Sequence, residues 1–514
     1  MKFVVRCAAV SIIGLFATGV PAQPQPAVTS ERIKAALVEF EKLVGDTMKK
    51  TGVPGLAVAV VHRDALAYIK GFGVRQVGKE QPVDADTVFQ IASLSKPVGT
   101  TVLAALVGER VIDWDDRIID HDAEFRMYDP WVTRALTFRD LLCHRSGLPA
   151  HAGDLVEDLG YARTEILYRL RFLKPASSFR SQYAYTNFGF TEAGVAGARA
   201  AKQPWEELCA AKLFRPLGMS STSSRYADFE AATNRAALHA HSDGQWTARY
   251  VRQPDAQSPA GGVCSTVRDL SRWMRLQLAA GQFDGRPIIA AGALAETHRP
   301  QIVSRPPENP ARDRAGFYGL GWNVSYDDQG RVRLGHSGGF ELGAATVVNL
   351  IPSEHLGIVV LTNASPIGVP EALAASFLDL VLTGKTERDW VKLFGGLFEA
   401  AADKPTDYST PPAKKSPPLP ADVYVAAYRN DYFGDIEIVE ADGTLLLRSG
   451  PKKTPFPLRH WNRDTFLYKP VGEMAAGLSA VTFQIGPDGR ATVVVVENLN
   501  VHGRGTFTRV PAKK

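Results

Sequence analysis

A proline-rich, charged stretch late in this 514-residue chain separates two regions with different sequence patterns. Residues 404 to 420 read KPTDYSTPPAKKSPPLP. Proline withholds a backbone donor and favours an extended chain, so a run of this composition is typical of a linker. We predict a folded domain at residues 31 to 390, a linker at 391 to 420 and a second domain at 421 to 514.

The larger region contains both helical and strand patterns. Residues 32 to 50 carry apolar side chains at helical spacing, and Gly52 follows as a common helix stop. Residues 55 to 61 (GLAVAVV) predict a buried strand that pairs back through a hairpin. Further strands are predicted at 319–326, 332–335, 344–351 and 357–362, and further helices at 137–143, 157–173, 191–201, 265–280 and 371–382. The predicted fold class is α/β of the α+β type, an antiparallel sheet flanked by helices plus an all-helical subdomain.

The region after the linker has only strand patterns. Turn dipeptides such as Asp442-Gly443 and Asp488-Gly489 separate its short alternating segments. Seven strands are predicted, at 424–428, 434–440, 444–448, 465–468, 480–485, 491–497 and 505–509. The second domain is therefore predicted to be a small all-β barrel.

The N-terminus has the pattern of a cleavable export signal at residues 1 to 22. Lys2 and Arg6 precede an apolar run from residue 7 to 20, and a cut after Ala22 is expected. We predict a periplasmic or secreted protein without a stable membrane span, because that run is too short to cross a bilayer. Removing the signal lowers the net charge from +5 to +3, so the charge does not indicate a nucleic-acid partner.

Three cysteines remain after the signal, namely Cys143, Cys209 and Cys264. An odd count without short spacing argues against a disulfide scaffold and against a cysteine zinc site. Either one disulfide or three buried thiols is compatible with the sequence. No metal and no cofactor is expected.

A serine and a lysine at helical spacing form the first candidate for chemistry. Ser93-Leu94-Ser95-Lys96 precedes an apolar run, so Lys96 would lie one turn after Ser93 and on the same face. A serine hydroxyl beside an amine base is a nucleophile arrangement. A second S-x-x-K string begins at Ser449, but Gly450 and Pro451 exclude a helix there.

Two more strings follow Ser93 in the chain: Tyr185-Thr186-Asn187, and His336-Ser337-Gly338 followed by Gly339. Together, S-x-x-K, Y-x-N and K/H-x-G resemble the three boxes of the class C β-lactamase and D,D-peptidase family of serine hydrolases (peptidase S12 type). The resemblance covers roughly residues 31 to 390. Strings that match a box out of order, at Lys50-Thr-Gly52, His151-Ala-Gly153 and Tyr428-Arg-Asn430, are interpreted as chance matches.

The resemblance implies a role for each residue. Ser93 would be the nucleophile, with Lys96 and Tyr185 exchanging its proton, although the sequence does not apportion the proton between them. Substrate binding would fall to Asn187, His336 and Ser337. The backbone N–H groups of Ser93 and Gly339 would form the oxyanion hole.

The third box departs from typical β-lactamases of the family, which carry lysine where this chain has His336. Histidine is at most partly charged near neutral pH, so it should hold a substrate carboxylate less firmly. The H-x-G form is more similar to the D,D-carboxypeptidase, D-aminopeptidase and esterase branches.

These features predict an exported serine hydrolase that forms an acyl-enzyme on Ser93 with a small-molecule or peptide substrate. Peptides or amides carrying D-residues are the favoured substrates, and small esters come next. A class C-like β-lactamase, or a penicillin-binding sensor with little turnover, is the alternative. The second domain resembles the lipocalin-like modules attached to such hydrolases, and we expect it to be largely dispensable for chemistry at Ser93. The sequence indicates no oligomeric state.

Overall fold

A computed structural model describes residues 28–242, 244–401, 406–475 and 477–511. The predicted signal at residues 1 to 22 lies outside this part of the chain. Within the described residues, no helix combines the length and the apolar character needed to cross a membrane.

The larger domain is built on an antiparallel sheet, as the sequence predicted, although two of its eight strands, Gly316–Tyr318 and Ile302–Arg305, were not predicted. Its strands, from one edge to the other, are Ala65–Gly73, Gly55–His62, Leu356–Thr362, Ala344–Ile351, Val332–Phe340, Asn323–Tyr326, Gly316–Tyr318 and Ile302–Arg305. Every residue of Gly55–His62 is buried, which explains its unbroken apolar sequence. Gly55–His62, near the start of this domain, thus pairs with Leu356–Thr362, near its end.

Two helices cover one face of this sheet. Ser30–Thr51 begins at Thr29, whose side chain accepts from Arg32 N, and ends at Gly52 with a left-handed φ of 70°. It packs against Val369–Thr383 through Phe40 and Phe377, whose rings lie 5.4 Å apart. The predicted 371–382 helix therefore lies where expected, on the sheet.

The opposite face carries the helical subdomain. Its helices are Ser95–Gly108, Ile118–His121, Pro130–Ala135, Phe138–Leu142, Asp154–Asp158, Arg163–Arg169, Asn187–Ala200, Trp205–Cys209, Arg215–Leu217, Tyr226–Ala231, Ser258–Gly261, Val267–Leu278 and Ala291–Thr297. Trp273 and Trp322 stack at 5.4 Å between this layer and the sheet. All three cysteines of the described chain are free and buried within the larger domain, so the alternative of three buried thiols is the correct one.

Two predicted elements are shorter in the structure. The 157–173 helix is interrupted because Gly160 takes a left-handed φ of 87°, which leaves separate helices at Asp154–Asp158 and Arg163–Arg169. The 319–326 strand begins only at Asn323, because Gly321, with φ of 80°, turns the chain before it.

The C-terminal domain is a single nine-stranded antiparallel sheet that curls into a nearly closed barrel. In sheet order its strands are Thr454–Pro457, Thr444–Ser449, Ile436–Ala441, Ala426–Arg429, Thr506–Arg509, Ala491–Val496, Ser479–Ile485, Thr465–Tyr468 and Arg459–Asn462. The two end strands, separated only by Leu458, were not predicted. Trp390–Ala401 is a helix at the start of the range expected to be a linker.

The barrel packs directly on the helical subdomain. The Tyr432 hydroxyl accepts from Gly153 N at 2.7 Å. The Asp158 carboxylate accepts from the backbone N–H groups of Glu473 (2.9 Å) and Met474 (2.8 Å) in a barrel loop. One cluster of buried apolar side chains continues from the larger domain into the barrel, so the two domains share a core.

Candidate active site

Ser93 lies at a strained entry to a helix. The short strand Phe89–Gln90 pairs with Cys264–Ser265 and leads into a 3-10 turn, Ala92–Leu94, that continues as the helix Ser95–Gly108. Ala92 has a φ of 47°, a conformation that costs free energy for a residue with a side chain. The surrounding fold therefore holds the backbone beside Ser93 in a conformation it would not adopt alone.

Three groups surround the Lys96 amine. Its Nζ lies 2.7 Å from Asn187 Oδ1, 3.1 Å from the carbonyl oxygen of Ala260 and 3.2 Å from Ser93 Oγ. The side chain is completely buried. Two of these three oxygens, the amide and the peptide carbonyl, can only accept hydrogen bonds.

Burial lowers the pKa of Lys96 to about 7, although the Asp154 carboxylate acts in the opposite direction. A neutral amine has two N–H groups and one lone pair. Because Asn187 Oδ1 and the Ala260 carbonyl take the two N–H groups, the lone pair is left to face Ser93 Oγ. The geometry therefore suits Lys96 as the base that removes the serine proton.

Tyr185 contacts the same hydroxyl from another side. Its OH donates to Ser93 Oγ at 2.8 Å, and its ring lies 4.5 Å from the Lys96 Nζ. Burial raises the pKa of Tyr185 well above its ordinary value, so the phenol stays protonated. A neutral phenol can donate a proton but is a poor base at neutral pH, and this arrangement separates the roles of Lys96 and Tyr185.

Asn187 is fixed by a carboxylate that the sequence did not single out. Its Nδ2 donates to Asp154 Oδ2 at 2.9 Å, which orients Oδ1 toward Lys96. The same carboxylate oxygen lies 3.0 Å from His151 Nδ1. The His151-Ala-Gly153 string, interpreted as a chance match, thus lies beside the site, with the His151 ring centroid 5.9 Å from that of Tyr185.

His336 is brought to the site as a neutral, buried side chain. Its Nδ1–H donates to the carbonyl oxygen of Ser337 at 2.6 Å, and its Nε2 accepts from the Tyr318 hydroxyl at 2.9 Å. Burial and the nearby Lys96 lower the pKa of His336 to about 3. The third box therefore presents no positive charge near pH 7.

The next residues of the His336 strand alternate between its two faces. The side chain of Ser337 interacts with the Glu371 carboxyl, away from the face that carries His336. A Cβ at Gly338 would lie 2.9 Å from Ser93 N, so only glycine lets the strand pass this close to the nucleophile. Gly339 follows and is exposed. The structure thus brings together Ser93, Lys96, Tyr185, Asn187 and His336, whereas Ser337 points to the other side.

Family comparison agrees with this arrangement of residues. The model of the Beta-lactamase family matches residues 40–383, more than half of the chain. The chain belongs to the β-lactamase family. A second model, described as a domain of unknown function (DUF3471), matches residues 410–507 of this β-lactamase-family serine hydrolase.

Individual relatives share most of the length of the hydrolase. An unguisins hydrolase of Aspergillus campestris is 26% identical over an alignment of 497 positions, gaps included, that covers 89% of this chain and 88% of the relative. An octameric penicillin-binding protein homologue from Pyrococcus abyssi is similar in structure, with a TM-score of 0.60 and 20% identity over 90% of this chain and 98% of that chain. A class C β-lactamase from Rhodobacter sphaeroides has a TM-score of 0.54 and 21% identity, over 67% of this chain and 98% of that chain. The two solved structures support the fold.

Some residues of the hydrolase site were missed by sequence reasoning. His144 is buried with its ring 4.6 Å from that of Tyr185 and 4.9 Å from that of Tyr318, and its Nδ1 accepts from Thr186 N at 3.2 Å. Burial and the Lys96 charge hold its pKa well below the ordinary value, so it packs as a neutral ring. The sequence placed His144 in a polar turn after the 137–143 helix but gave no indication of what it would contact.

Proposed function

We propose that this serine hydrolase forms an acyl-enzyme on Ser93 and cleaves amide bonds in peptides or amides that carry D-residues, with small esters as the next substrates. The observation that carries the proposal is the Ser93 hydroxyl held between a buried lysine amine at 3.2 Å and a neutral phenol at 2.8 Å. This arrangement supplies a nucleophile, a base and an acid without further groups.

The proposed reaction has two halves. Ser93 Oγ attacks the carbonyl carbon while its proton moves to the Lys96 amine, and the backbone N–H groups of Ser93 and Gly339 stabilise the oxyanion. When the C–N or C–O bond breaks, the Tyr185 hydroxyl gives its proton to the leaving group and regains one from the Lys96 ammonium. Water then attacks the ester carbonyl while its proton passes through the Tyr185 hydroxyl to the Lys96 amine. The bond to Ser93 Oγ breaks, the Lys96 ammonium returns a proton to Ser93 Oγ, and the acid is released.

The neutral His336 favours a peptide or amide over a β-lactam. A pKa of about 3 leaves this side chain uncharged at neutral pH, so it cannot pair with a substrate carboxylate as a lysine would. Asn187 keeps one hydrogen-bonding group on Lys96 and the other on Asp154, which fixes the site more than it recognises a charge. The relative named as an unguisins hydrolase adds support for a hydrolytic role.

A substrate panel on one preparation tests the proposal. Nitrocefin, a D-Ala-D-Ala peptide, D-amino-acid amides and nitrophenyl esters are compared by kcat/KM. We expect amides of D-residues to lead, esters to follow and nitrocefin to be slow. Rapid nitrocefin turnover that exceeds the other rates would instead assign a β-lactamase, and acylation without turnover would assign a penicillin-binding sensor.

The nucleophile is tested separately with a fluorescent phosphonate. Ser93→Ala should abolish labelling, whereas Ser449→Ala, in the second S-x-x-K string, should leave it unchanged. Labelling that persists in Ser93→Ala would exclude the assignment.

Export is part of the proposal. The signal pattern at residues 1 to 22 supports a periplasmic or secreted enzyme. Fractionation of cells expressing the full chain, with N-terminal sequencing of the product, should find a protein that begins at Gln23. An intact Met1 in the cytoplasmic fraction would contradict export.

A further inference from the structure

A cavity lies at the junction between the barrel and the hydrolase domain. It encloses about 260 Å³. Leu155 and Leu173 line it from the helical subdomain, and Phe433, Met474 and Leu478 line it from the barrel. Most of its wall is apolar, although Glu497, Asn498 and Arg504 add polar groups from the barrel, and neither domain alone could form it.

One residue of the cavity wall also lies beside the reacting groups. His151 lines it, and the backbone N–H of His151 donates to the carbonyl oxygen of Tyr185 at 2.8 Å. The His151 and Tyr185 rings lie 5.9 Å apart, and the Tyr185 hydroxyl donates to Ser93 Oγ at 2.8 Å. His151 thus contacts the cavity on one side and the Tyr185 ring on the other, and about half of its side chain is exposed.

The barrel side of the cavity is anchored to the same turn that carries His151. The Tyr432 hydroxyl accepts from Gly153 N at 2.7 Å. The Asp158 carboxylate receives the backbone N–H groups of Glu473 and Met474, and Glu473 in turn accepts from Glu341 N, just after the His336 strand. The barrel loop is thus attached to the hydrolase domain at two separate segments, which holds the apolar wall in a fixed position.

We infer that this cavity, which borders the Ser93 site at His151, is a specificity subsite that receives an apolar side chain of the substrate. The inference rests on the proposed function and adds the class of substrate: D-residue amides or peptides whose neighbouring side chain is aromatic or branched aliphatic. Moving such a side chain from water into an apolar cavity is favourable, whereas a small side chain leaves the cavity empty. The volume suits one side chain, being below that of pockets for drug-sized ligands, which hold about 300 to 1,000 Å³.

A filled cavity provides the test. Leu478→Trp places a larger ring at the partly exposed barrel wall, and Val471→Trp, a change in the same loop at a 62% exposed residue outside the cavity lining, is the matched control. Two substrate series are used, one varying the acyl residue and one the leaving residue between D-Ala, D-Leu and D-Phe. A nitrophenyl acetate ester, which has no side chain to place, reports the chemistry at Ser93.

In the wild-type enzyme, D-Phe or D-Leu should exceed D-Ala in kcat/KM by about 10- to 200-fold in one of the two series, the range that apolar pockets achieve. Leu478→Trp should reduce this ratio at least fivefold with ester hydrolysis unchanged, and Val471→Trp should not. An unchanged ratio in Leu478→Trp, or an equal loss in Val471→Trp, would overturn the subsite.

Failure of the proposed function would look different. If ester hydrolysis persists in Ser93→Ala, the acyl-enzyme is wrong, whatever the side-chain ratios are. If Ser93→Ala removes all hydrolysis but Leu478→Trp leaves the kcat/KM ratios between side chains unchanged, the acyl-enzyme on Ser93 is supported and only the subsite is refuted.

Discussion

The buried Lys96 amine predicts the pH dependence of acylation. Lowering its pKa from 10.5 to about 7 means that the protein destabilises the ammonium form by about 5 kcal/mol relative to the neutral amine. With that pKa, about a tenth of the amine is neutral at pH 6 and about nine tenths at pH 8. Because only the neutral amine can accept the Ser93 proton, the acylation rate should rise about tenfold over this interval and reach a plateau above it.

The assay is single-turnover labelling of Ser93 by a fluorescent phosphonate between pH 5 and pH 9.5. Lys96→Ala should lower the rate by about 10²- to 10⁴-fold, the usual contribution of a positioned base, and should remove the pH dependence. Lys452→Ala, which removes the lysine of the second S-x-x-K string, is the matched control and should behave as wild type.

Asp154 allows the cause of the profile to be tested. Its carboxylate raises the Lys96 pKa, so Asp154→Asn should move the midpoint of the profile to lower pH while an amide at this position can still accept from Asn187. A rate that keeps rising tenfold per pH unit up to pH 9.5 would show an ordinary lysine and refute the reasoning. A midpoint that moves upward in Asp154→Asn would refute the role of the carboxylate.

Three further predictions concern the groups around this centre. Tyr185→Phe should lower the rate of acylation by amides by about 10²- to 10⁴-fold. Acylation by nitrophenyl esters should fall much less, because nitrophenolate leaves without a proton. Equal losses in the single-turnover acylation rates of the two substrates would contradict the acid role. Gly338→Ala should lower the free energy of unfolding by about 1–3 kcal/mol and slow the labelling of Ser93, because the new Cβ would collide with Ile91 O and Ser93 N. If the variant matches wild type in a urea titration and in labelling rate, the close approach is contradicted. Glu473 lies among Arg252, Asp158 and Glu341, and burial raises its pKa to about 8. Between pH 5 and pH 8 the folded state therefore keeps a proton that the unfolded chain has already lost. The free energy of unfolding should fall by at least about 1 kcal/mol over this interval. Glu473→Gln should flatten that fall in melting experiments, and an unchanged slope would contradict it.

The residues of the three boxes could be found from the sequence because each box has a local signature and the boxes occur in a fixed order. Ser93 and Lys96 are three residues apart on one helical face, and the distance between them follows from helix geometry. The main sheet could also be predicted, since strands such as Gly55–His62 are almost continuous apolar runs between turns.

What the sequence could not supply depends on contacts between distant segments. Asp154 holds Asn187 across 33 positions of chain, and the Ala260 carbonyl reaches Lys96 across 164. Neither residue belongs to a box, and an acidic residue or a carbonyl in a turn has no pattern of its own. The neutral state of His336 likewise follows from burial against Tyr318, which only the folded sheet provides.

The barrel strands show the same division. Long alternating strands such as Ser479–Ile485 were predicted, whereas Thr454–Pro457 and Arg459–Asn462 were missed because their exposed and half-buried residues do not alternate clearly. They are edge strands, and pairing with a neighbour determines them more than side-chain pattern does.

The shared core has a consequence for the order of events during synthesis. A ribosome completes Ser93, Tyr185 and His336 long before it reaches Tyr432 and Met474, which supply the far wall of the junction. The nascent hydrolase domain therefore exposes apolar side chains that become buried only when the barrel has been synthesised and has folded against them. A premature stop in the barrel would release a chain that still holds its nucleophile but exposes the apolar side chains of the shared core, which makes such a chain a target for proteases.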